Sequence, residues 1–393
     1  SLGSFLSTLT FKLEAVYKFH YLFENSPINT PENYFAYVVG VDREWNNIVF
    51  HQDKVILTLE YSGEVGADDA VATFSQQRPD IKWTLFTPFF DTYETFKQQN
   101  KSNCDLKFGA WLDTAQKFDA VVIYYPKTKL RFEYYLSFAS KLLTKDGMFY
   151  VVGEKKGGVK SCDKALKPFC IKSYKLDAAR HCMLFAAAFN GQACAKTMEQ
   201  WFASTKITIN VSDENIELDL QALPGVFSAN RLDEGTDLLL NTMTQVKGLG
   251  LDFGCGCGVI SAALSKRFGV TMHGLDVDAL SVASSNQTFK VNDVDAKAFC
   301  SNGLSELLGK KQSYDFVATN PPFHTGIKTD YGITESFIQQ LSKVMNKSYQ
   351  IWMVANNFLP YPDLFKRYLK AVDIKSKNNR FNIYHTESNI KSK

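Results

Sequence analysis

Leu251-Asp252-Phe253-Gly254-Cys255-Gly256-Cys257-Gly258 puts an acidic residue near the end of an apolar run and then sets glycines at alternate positions. Leu249–Phe253 reads as a strand and Val259–Phe268 as the helix after it. A turn without side chains between the two lets backbone N–H groups and a helix N-terminus approach a ligand. Such a turn serves many nucleotide-like cofactors, and glycines also close simple tight turns, so its neighbours must decide the reading.

Beyond the turn, short apolar runs alternate with helical stretches: Met272–Leu275, Ala279–Phe289, Ala298–Cys300, Phe316–Thr319, a helix over Thr334–Met345, and Gln350–Ala355. That alternation predicts an α/β fold with a parallel, doubly wound sheet and ligands at the carboxyl ends of its strands. The earlier half repeats the spacing more weakly. Phe118-Asp119 through Pro126 parallels Tyr314-Asp315 through Pro322, a helical stretch over Arg131–Leu143 follows, and Met148–Val152 matches Ile351–Val354. The copy lacks the glycine turn and carries Tyr124-Tyr125-Pro126-Lys127 in place of Asn320-Pro321-Pro322-Phe323.

The prediction is therefore two tandem Rossmann-like domains: residues 1–205, a degenerate copy without cofactor kept for docking or support, and residues 206–393, the copy that keeps the glycine turn. The second is expected to open on a β-hairpin over Lys206–Leu220, turning around Ser212-Asp213-Glu214-Asn215. A length of 393 residues suits two domains. The balance of 44 Lys and Arg against 41 Asp and Glu leaves only +3, so a nucleic-acid partner would have to be met by a local basic patch.

Eight cysteines show no paired CxxC spacing and no accompanying histidine cluster, which predicts free, buried thiols of a reducing compartment. Cys255 and Cys257 could suggest a metal, but small side chains are what the glycine turn tolerates, and no metal is expected. No run reaches the ~18–20 apolar residues of a membrane span, and no basic stretch followed by an apolar core opens the chain. A cytoplasmic protein without membrane contact is expected. The opening Ser1-Leu2, without Met, reads as a processed end.

The decisive second motif is Asn320-Pro321-Pro322-Phe323 at the end of a later strand. An exocyclic amine on a base or amide is a poor nucleophile because its lone pair is delocalised. A site that activates it must draw its N–H bonds toward acceptors and hold the nitrogen in line with an electrophile. Asn320 offers an amide oxygen, and two prolines offer carbonyls with no competing N–H on a rigid loop. Phe323 offers a face for a planar base. His324 reads as a positioning residue rather than a proton acceptor. With the glycine turn, these residues predict transfer of a methyl group from S-adenosyl-L-methionine to an amino nitrogen.

In that reading Asp276 accepts hydrogen bonds from two ribose hydroxyls, unless it caps the helix starting near Ala279, a task Asp278 could take instead. Asn302-Gly303 closes the third strand where an adenine would lie, although Asn-Gly is also an ordinary turn.

These motifs, together with Pro224–Ser228, Leu232–Gly235, Leu238–Leu240, Asn320–Gly326, Val354–Pro362, Val151–Glu154, Gly158–Ser161 and Asp177–Arg180, resemble the bacterial ribosomal RNA small subunit methyltransferase C family over about residues 118–365. The resemblance implies tandem methyltransferase domains, the first without cofactor, and methylation of N2 of a guanine in 16S rRNA. It implies Asn320, Pro321, Pro322 and Phe323 as the catalytic loop. Asp252, Gly254, Cys255, Gly256, Gly258, Asp276, Val277, Asn302, Gly303 and Asn320 would line the cofactor, and Phe227–Thr236 would form a lid. RNA contacts are expected from Phe227, Arg231, Lys155, Lys156 and Lys160, with Lys127 and Lys129 nearby, on a monomer acting on 16S rRNA within a small-subunit particle. Adenine N6, a large-subunit guanine N2 and a protein glutamine remain alternative targets, since all suit an Asn-Pro-Pro-aromatic loop.

Overall fold

The computed structural model describes residues 55–59, 79–99, 104–179, 182–227, 231–321, 327–359, 361–369 and 372–388. The chain divides into two compact units, Ser1–Met198 and Glu199–Lys393.

In the first unit, strands β1 (Val55–Leu59), β2 (Lys82–Thr87), β3 (Cys104–Phe108), β4 (Phe118–Tyr124), β5 (Leu143–Glu154), β6 (Cys170–Ala179) and β7 (Cys182–Phe189) form one sheet. Its order is β3-β2-β1-β4-β5-β7-β6, parallel except for β7, which runs antiparallel to both neighbours. The helix Lys129–Leu142 follows β4 and is capped by Thr128, whose side chain accepts the Arg131 N–H.

The second unit opens with a hairpin, β8 (Ala203–Val211) and β9 (Glu214–Ala222), that forms its own sheet. Its turn is tighter than the sequence suggested. Ser212 and Asp213 alone make the loop, with φ of 49° and 64°, while Glu214 and Asn215 already pair with Val211 and Asn210. Two successive positive φ values are what a two-residue hairpin demands, and Asp bears that geometry better than most residues.

Strands β10 (Leu249–Phe253), β11 (Thr271–Asp276), β12 (Ala296–Cys300), β13 (Tyr314–Thr319), β14 (Met345–Asn356), β15 (Asp373–Lys377) and β16 (Phe381–Ser388) build the main sheet in the order β12-β11-β10-β13-β14-β16-β15. This repeats the order of the first unit, including the antiparallel penultimate strand. The duplicated, doubly wound architecture is as expected. The chain winds outward from β10 to β12 and then returns to β13, so the strand order reverses between β10 and β13. The crevice at the carboxyl ends of those two strands is where such sheets bind ligands.

Two elements depart from the sequence reading. The helix expected over Thr334–Met345 spans Ile327–Leu341, and Met345 instead begins β14, paired with Tyr314. The second is the stretch beyond Gln350–Ala355, for which no strand was expected: it contains β15 and β16, and β16 inserts between β14 and β15. Phe381 and Ile383 through Thr386 are all buried, as suits a strand inserted inside the sheet, so β16 shows no clean two-residue alternation to read.

One face of the main sheet carries a core of Leu251, Phe253, Val317, Ile351, Met353 and Tyr384 against Phe337, Ile338 and Leu341 of the Ile327–Leu341 helix. Phe253 and Phe337 stack at 4.1 Å with 8° between their planes. On the helix Ala279–Val291, Ser284, Thr288 and Asn292 lie at four-residue intervals and therefore on one side. They meet alternate residues along β9 and just past its end: the N–H groups of Leu223, Gln221 and Asp219 donate to Ser284 Oγ, Thr288 Oγ1 and Asn292 Oδ1, each at 2.9 Å. Asn292 Nδ2 returns a bond to the Asp219 carbonyl at 2.8 Å and Thr288 Oγ1 one to Gln221 O at 3.2 Å. A helix's polar stripe thus closes a hairpin edge that would otherwise bury unpaired backbone groups.

Replacing Thr288, which is wholly buried, with Val strands the Gln221 N–H. Thr288→Val is expected to lower unfolding free energy by about 1–3 kcal/mol in urea titration, while Gln287→Ala, off this stripe, changes it by less than about 0.5 kcal/mol.

Candidate active site

The glycine turn follows β10, and its three glycines take φ of 74°, 55° and 84° at positions 254, 256 and 258. They are there for different reasons. At Gly258 a Cβ would lie 2.6 Å from Phe289 Cε1 and 3.1 Å from Ser285 Cα, so this glycine lets the turn press against the Ala279–Val291 helix. At Gly256 the nearest atom would be Phe227 O at 3.4 Å, so the chain at Phe227 passes directly over the turn.

The expectation that this turn offers its N–H groups to a ligand needs correcting. Gly254 N and Cys255 N both donate to Leu275 O, at 2.8 and 3.0 Å, and Gly258 N donates to Cys255 O at 2.8 Å. Gly256 N donates to Asp276 Oδ2 at 3.0 Å. The turn is closed on itself and on a carboxylate, and these amides make no cradle for a phosphate.

Asp276 ends β11, with Oδ1 accepting the Asp278 N–H at 3.0 Å. The helix cap is Asp278, whose Oδ1 accepts Leu280 N–H at 3.0 Å. Asp276 is therefore not used as a cap, and each of its oxygens keeps a lone pair for a hydroxyl donor. Desolvation by burial raises its pKa, and the Asp278 charge adds to that, opposed by the backbone N–H bonds. That carboxyl is pushed up to about 7.

Asp252 is completely buried. Ser261 Oγ donates to its Oδ2 at 3.0 Å, and its Oδ1 has no hydrogen-bond partner. Burial, only partly offset by Ser261, pushes this carboxyl up to about 7. A buried, unpaired acceptor is costly unless a donor from outside the chain completes it. Burial likewise holds the thiols of Cys255 and Cys257 in the neutral form, Cys257 at about 12. Among the described residues, no group of three His, Cys, Asp or Glu side chains is arranged to hold a metal. No disulfide joins any of the eight cysteines, but only Cys162, Cys255 and Cys257 are fully buried, and the other five are half-exposed.

Across the crevice, Thr319 Oγ1 at the end of β13 donates to Phe253 O at 2.6 Å, and Asn320 follows. Asn320 Nδ2 donates to Asp233 Oδ2 at 2.9 Å and to Thr236 Oγ1 at 3.0 Å. Asn320, Thr236, Phe227, Gly254, Cys255 and Val259 line one pocket. Pro321 is buried; Pro322, Phe323 and His324 lie outside the described residues.

Of the other expected residues, Val277 sits half-buried between Asp276 and the cap, and Gly303 turns with φ 58°. Asn302 is exposed at the end of β12, with its backbone carbonyl accepting from Ser305 N at 3.1 Å. Arg231 is exposed two positions before Asp233. Lys155, Lys156 and Lys160 are exposed on the turn after β5 in the first unit. Asp233 and Thr236 were given no role of their own in the sequence reading. The signal available was an Asp three residues before a Thr at a helix start, since Asp233 caps the helix Glu234–Thr242 through Thr236 N–H.

The methyltransferase small domain family matches residues 217–385, and the methyltransferase small domain N-terminal family matches residues 46–205. The ribosomal RNA small subunit methyltransferase C of Shewanella loihica is 36% identical over 339 residues, 86% of this chain and 95% of that protein. This chain belongs to the ribosomal RNA small subunit methyltransferase C family. The Photobacterium profundum member is 36% identical over 301 residues, covering 76% of this chain and 86% of its own. The fold of the family is matched by a T. thermophilus 16S rRNA N2 methyltransferase solved with AdoMet and guanosine, at a TM-score of 0.71 and 20% identity over 86% of this chain and 88% of that one. The tandem methyltransferase architecture of this family member is thus shown by sequence and by fold together.

A methyl at position 258 meets both a positive φ and Phe289. Gly258→Ala is expected to lower the thermal midpoint by several degrees, from a loss of about 2 kcal/mol or more, whereas Gly269→Ala, with φ 66° but open space around it, costs about 1 kcal/mol in the same scan.

Proposed function

We infer that this protein transfers a methyl group from S-adenosyl-L-methionine to the exocyclic N2 amine of a guanine in 16S rRNA. The observation that carries the reaction type is the single crevice lined by both the glycine turn and Asn320. The substrate follows the family, whose members are named for small-subunit ribosomal RNA.

The residues present fit this cofactor better than a dinucleotide. The amides of Gly254, Cys255, Gly256 and Gly258 are spent within the chain, and Asp252 and Asp276 bring carboxyl acceptors to the site. Such surroundings oppose a pyrophosphate and favour a ligand that carries a sulfonium, an ammonium and ribose hydroxyls. Asp276 offers acceptors to two adjacent hydroxyls, Asp252 Oδ1 awaits a donor, directly or through water, and Asn302 and Gly303 border the place for an adenine. When bound, the cofactor supplies an electrophilic methyl group.

The chain's part is to present the amine. Asn320 turns its amide oxygen to the pocket, where it accepts an N–H of the target and pulls electron density onto the nitrogen. Pro321 and Pro322 fix the loop and add carbonyls without donors, and Phe323 stacks on the base. Held in line, the nitrogen needs no strong general base at this site, and positioning supplies much of the rate. Phe227, which is 41% exposed beside the turn, and Arg231 border the approach. Lys155, Lys156 and Lys160 neutralise phosphates, the first unit serving as the docking domain and the second as the catalytic one. The enzyme acts as a monomer on the small-subunit particle, which places it in the cytoplasm.

Tritium transfer from labelled S-adenosyl-L-methionine into 16S rRNA, small-subunit particles and release factor, with nucleoside analysis, tests this reading. Label in N2-methylguanosine is expected, with kcat reduced about 10²–10³-fold in Asn320→Ala; label in N6-methyladenosine, in large-subunit rRNA or in glutamine would overturn the substrate, and stabilisation by NAD instead would overturn the chemistry.

A pH dependence follows from the raised carboxyl pKa values. Asp252 and Asp276 bind protons more tightly in the folded than in the unfolded chain. Their contribution to the stability of the free protein is therefore complete below the ordinary carboxylate range and is lost as pH rises toward about 7. The cofactor needs them as acceptors, so its affinity changes the other way. Titration calorimetry is expected to show Kd weakening as pH falls from 8 to 5, by up to roughly tenfold per pH unit for one competing proton. A flat profile would contradict the ribose role of Asp276.

A further inference from the structure

We propose that Asp233 and Thr236 are positioning residues that hold the Asn320 amide in one orientation, with both N–H hydrogens bonded to the chain and Oδ1 left for the pocket. This rests on the reading of Asn320 as the group that receives the target amine.

An asparagine amide is nearly symmetric in shape, so only its neighbours can decide which end faces a substrate. Here the decision is chemical. Asp233 Oδ2 accepts the backbone N–H of Thr236 at 3.0 Å, which makes that oxygen an acceptor. The Asn320 atom 2.9 Å from the same oxygen must then be the nitrogen, since a flipped amide would set two acceptors against each other. The second amide hydrogen goes to Thr236 Oγ1 at 3.0 Å. With both hydrogens taken, Asn320 can present only an acceptor to the pocket. A target amine brings donors, so the orientation decides between attraction and repulsion at the reacting nitrogen.

The clamp is braced from behind. Thr236 is 4% exposed and is fixed at the start of the helix Glu234–Thr242, whose cap is Asp233 itself. Gly235, between them, lets that helix sit close to the sheet: a Cβ there would lie 3.1 Å from Asp233 Oδ2 and 3.3 Å from both Phe381 Cε1 and Val354 Cγ2. The same helix start continues from the segment that passes over the glycine turn at Phe227, so one stretch of chain both borders the cofactor pocket and sets the amide.

Thr236→Val is the test, because it keeps side-chain shape and the backbone N–H that caps the helix but removes the Oγ1 acceptor. In the full-length protein, with 16S rRNA particles as substrate, kcat is expected to fall about tenfold, while KM for S-adenosyl-L-methionine and for RNA stays within about twofold. Thr236→Ser is expected to restore most of the rate. Asp233→Ser, which keeps a capping oxygen but draws it away from Asn320, is expected to fall further than Thr236→Val. In an Asn320→Ala background Thr236→Val is expected to have no further effect. Wild-type kcat in Thr236→Val, beside an inactive Asn320→Ala, would overturn the clamp and leave the site reading intact. An active Asn320→Ala would overturn both, and a loss in Thr236→Val that serine does not rescue or that appears in KM would reduce Thr236 to a packing residue and overturn the proposal.

Discussion

The pairing of β10 with β13 is the constraint on which the site depends. Gly250 and Leu251 lie in register with Phe316 and Val317, so two strands far apart in sequence end side by side. The pairing is fastened at both ends. At the start of the strands, Asp315 Oδ2 accepts Leu249 N–H at 2.8 Å, and a side chain at Gly248 would strike that carboxylate at 2.0 Å. At the other end, Thr319 Oγ1 donates to Phe253 O. The glycine turn and Asn320 are thereby set on opposite lips of one crevice before any ligand arrives, which is the preorganisation that a positioning mechanism requires.

The electrostatics of that crevice follow from burial. Asp252, Asp276 and Asp278 converge on the ends of β10 and β11. The chain meets the cost in pieces: Ser261 for Asp252, the amides of Gly256 and Asp278 for Asp276, and Leu280 N–H for Asp278. One oxygen, Asp252 Oδ1, is left over. A site with an unsatisfied buried acceptor, most of whose turn amides are already bonded within the chain, selects against anions and for a ligand that arrives with donors and positive charge.

Much of this was legible in the sequence, and the part that was not has a physical reason. The glycine turn, the strands Leu249–Phe253 and Tyr314–Thr319, and the loop beginning at Asn320 are local patterns, read within a window of a few residues. What a local pattern cannot show is where a backbone donor spends its hydrogen. The amides of Gly254 and Cys255 looked available, yet Leu275 O takes both. The polar stripe of Ser284, Thr288 and Asn292 carries no local sign of its use, because periodicity sees polarity and not the hairpin edge that consumes it. The bond from Asn320 to Asp233 spans 87 positions, beyond any sequence window. Asp233 was legible only as part of the stretch Phe227–Thr236, not as the partner of Asn320.

The two units sharpen the distinction between fold and site. Both sheets share one strand order, down to the antiparallel strand inserted before the last. Where β13 ends on Asn320, β4 is followed by Tyr125, whose ring packs on Phe132 at 4.8 Å and whose hydroxyl meets Ser161 Oγ at 3.0 Å. At the ends of β2 and β3, Phe90, Tyr93 and Phe108 pack together with centroids 5.2–6.2 Å apart, filling with side chains the side of the sheet that corresponds to Asp276 and Asn302. An aromatic cluster stabilises a strand end by burial, whereas an exposed amide and an unpaired carboxylate destabilise it. The first unit has the arrangement that favours stability and the second retains the arrangement that favours chemistry. The same topology carries both, because the sheet order is set by the apolar strands and the chemistry by the few residues that follow them.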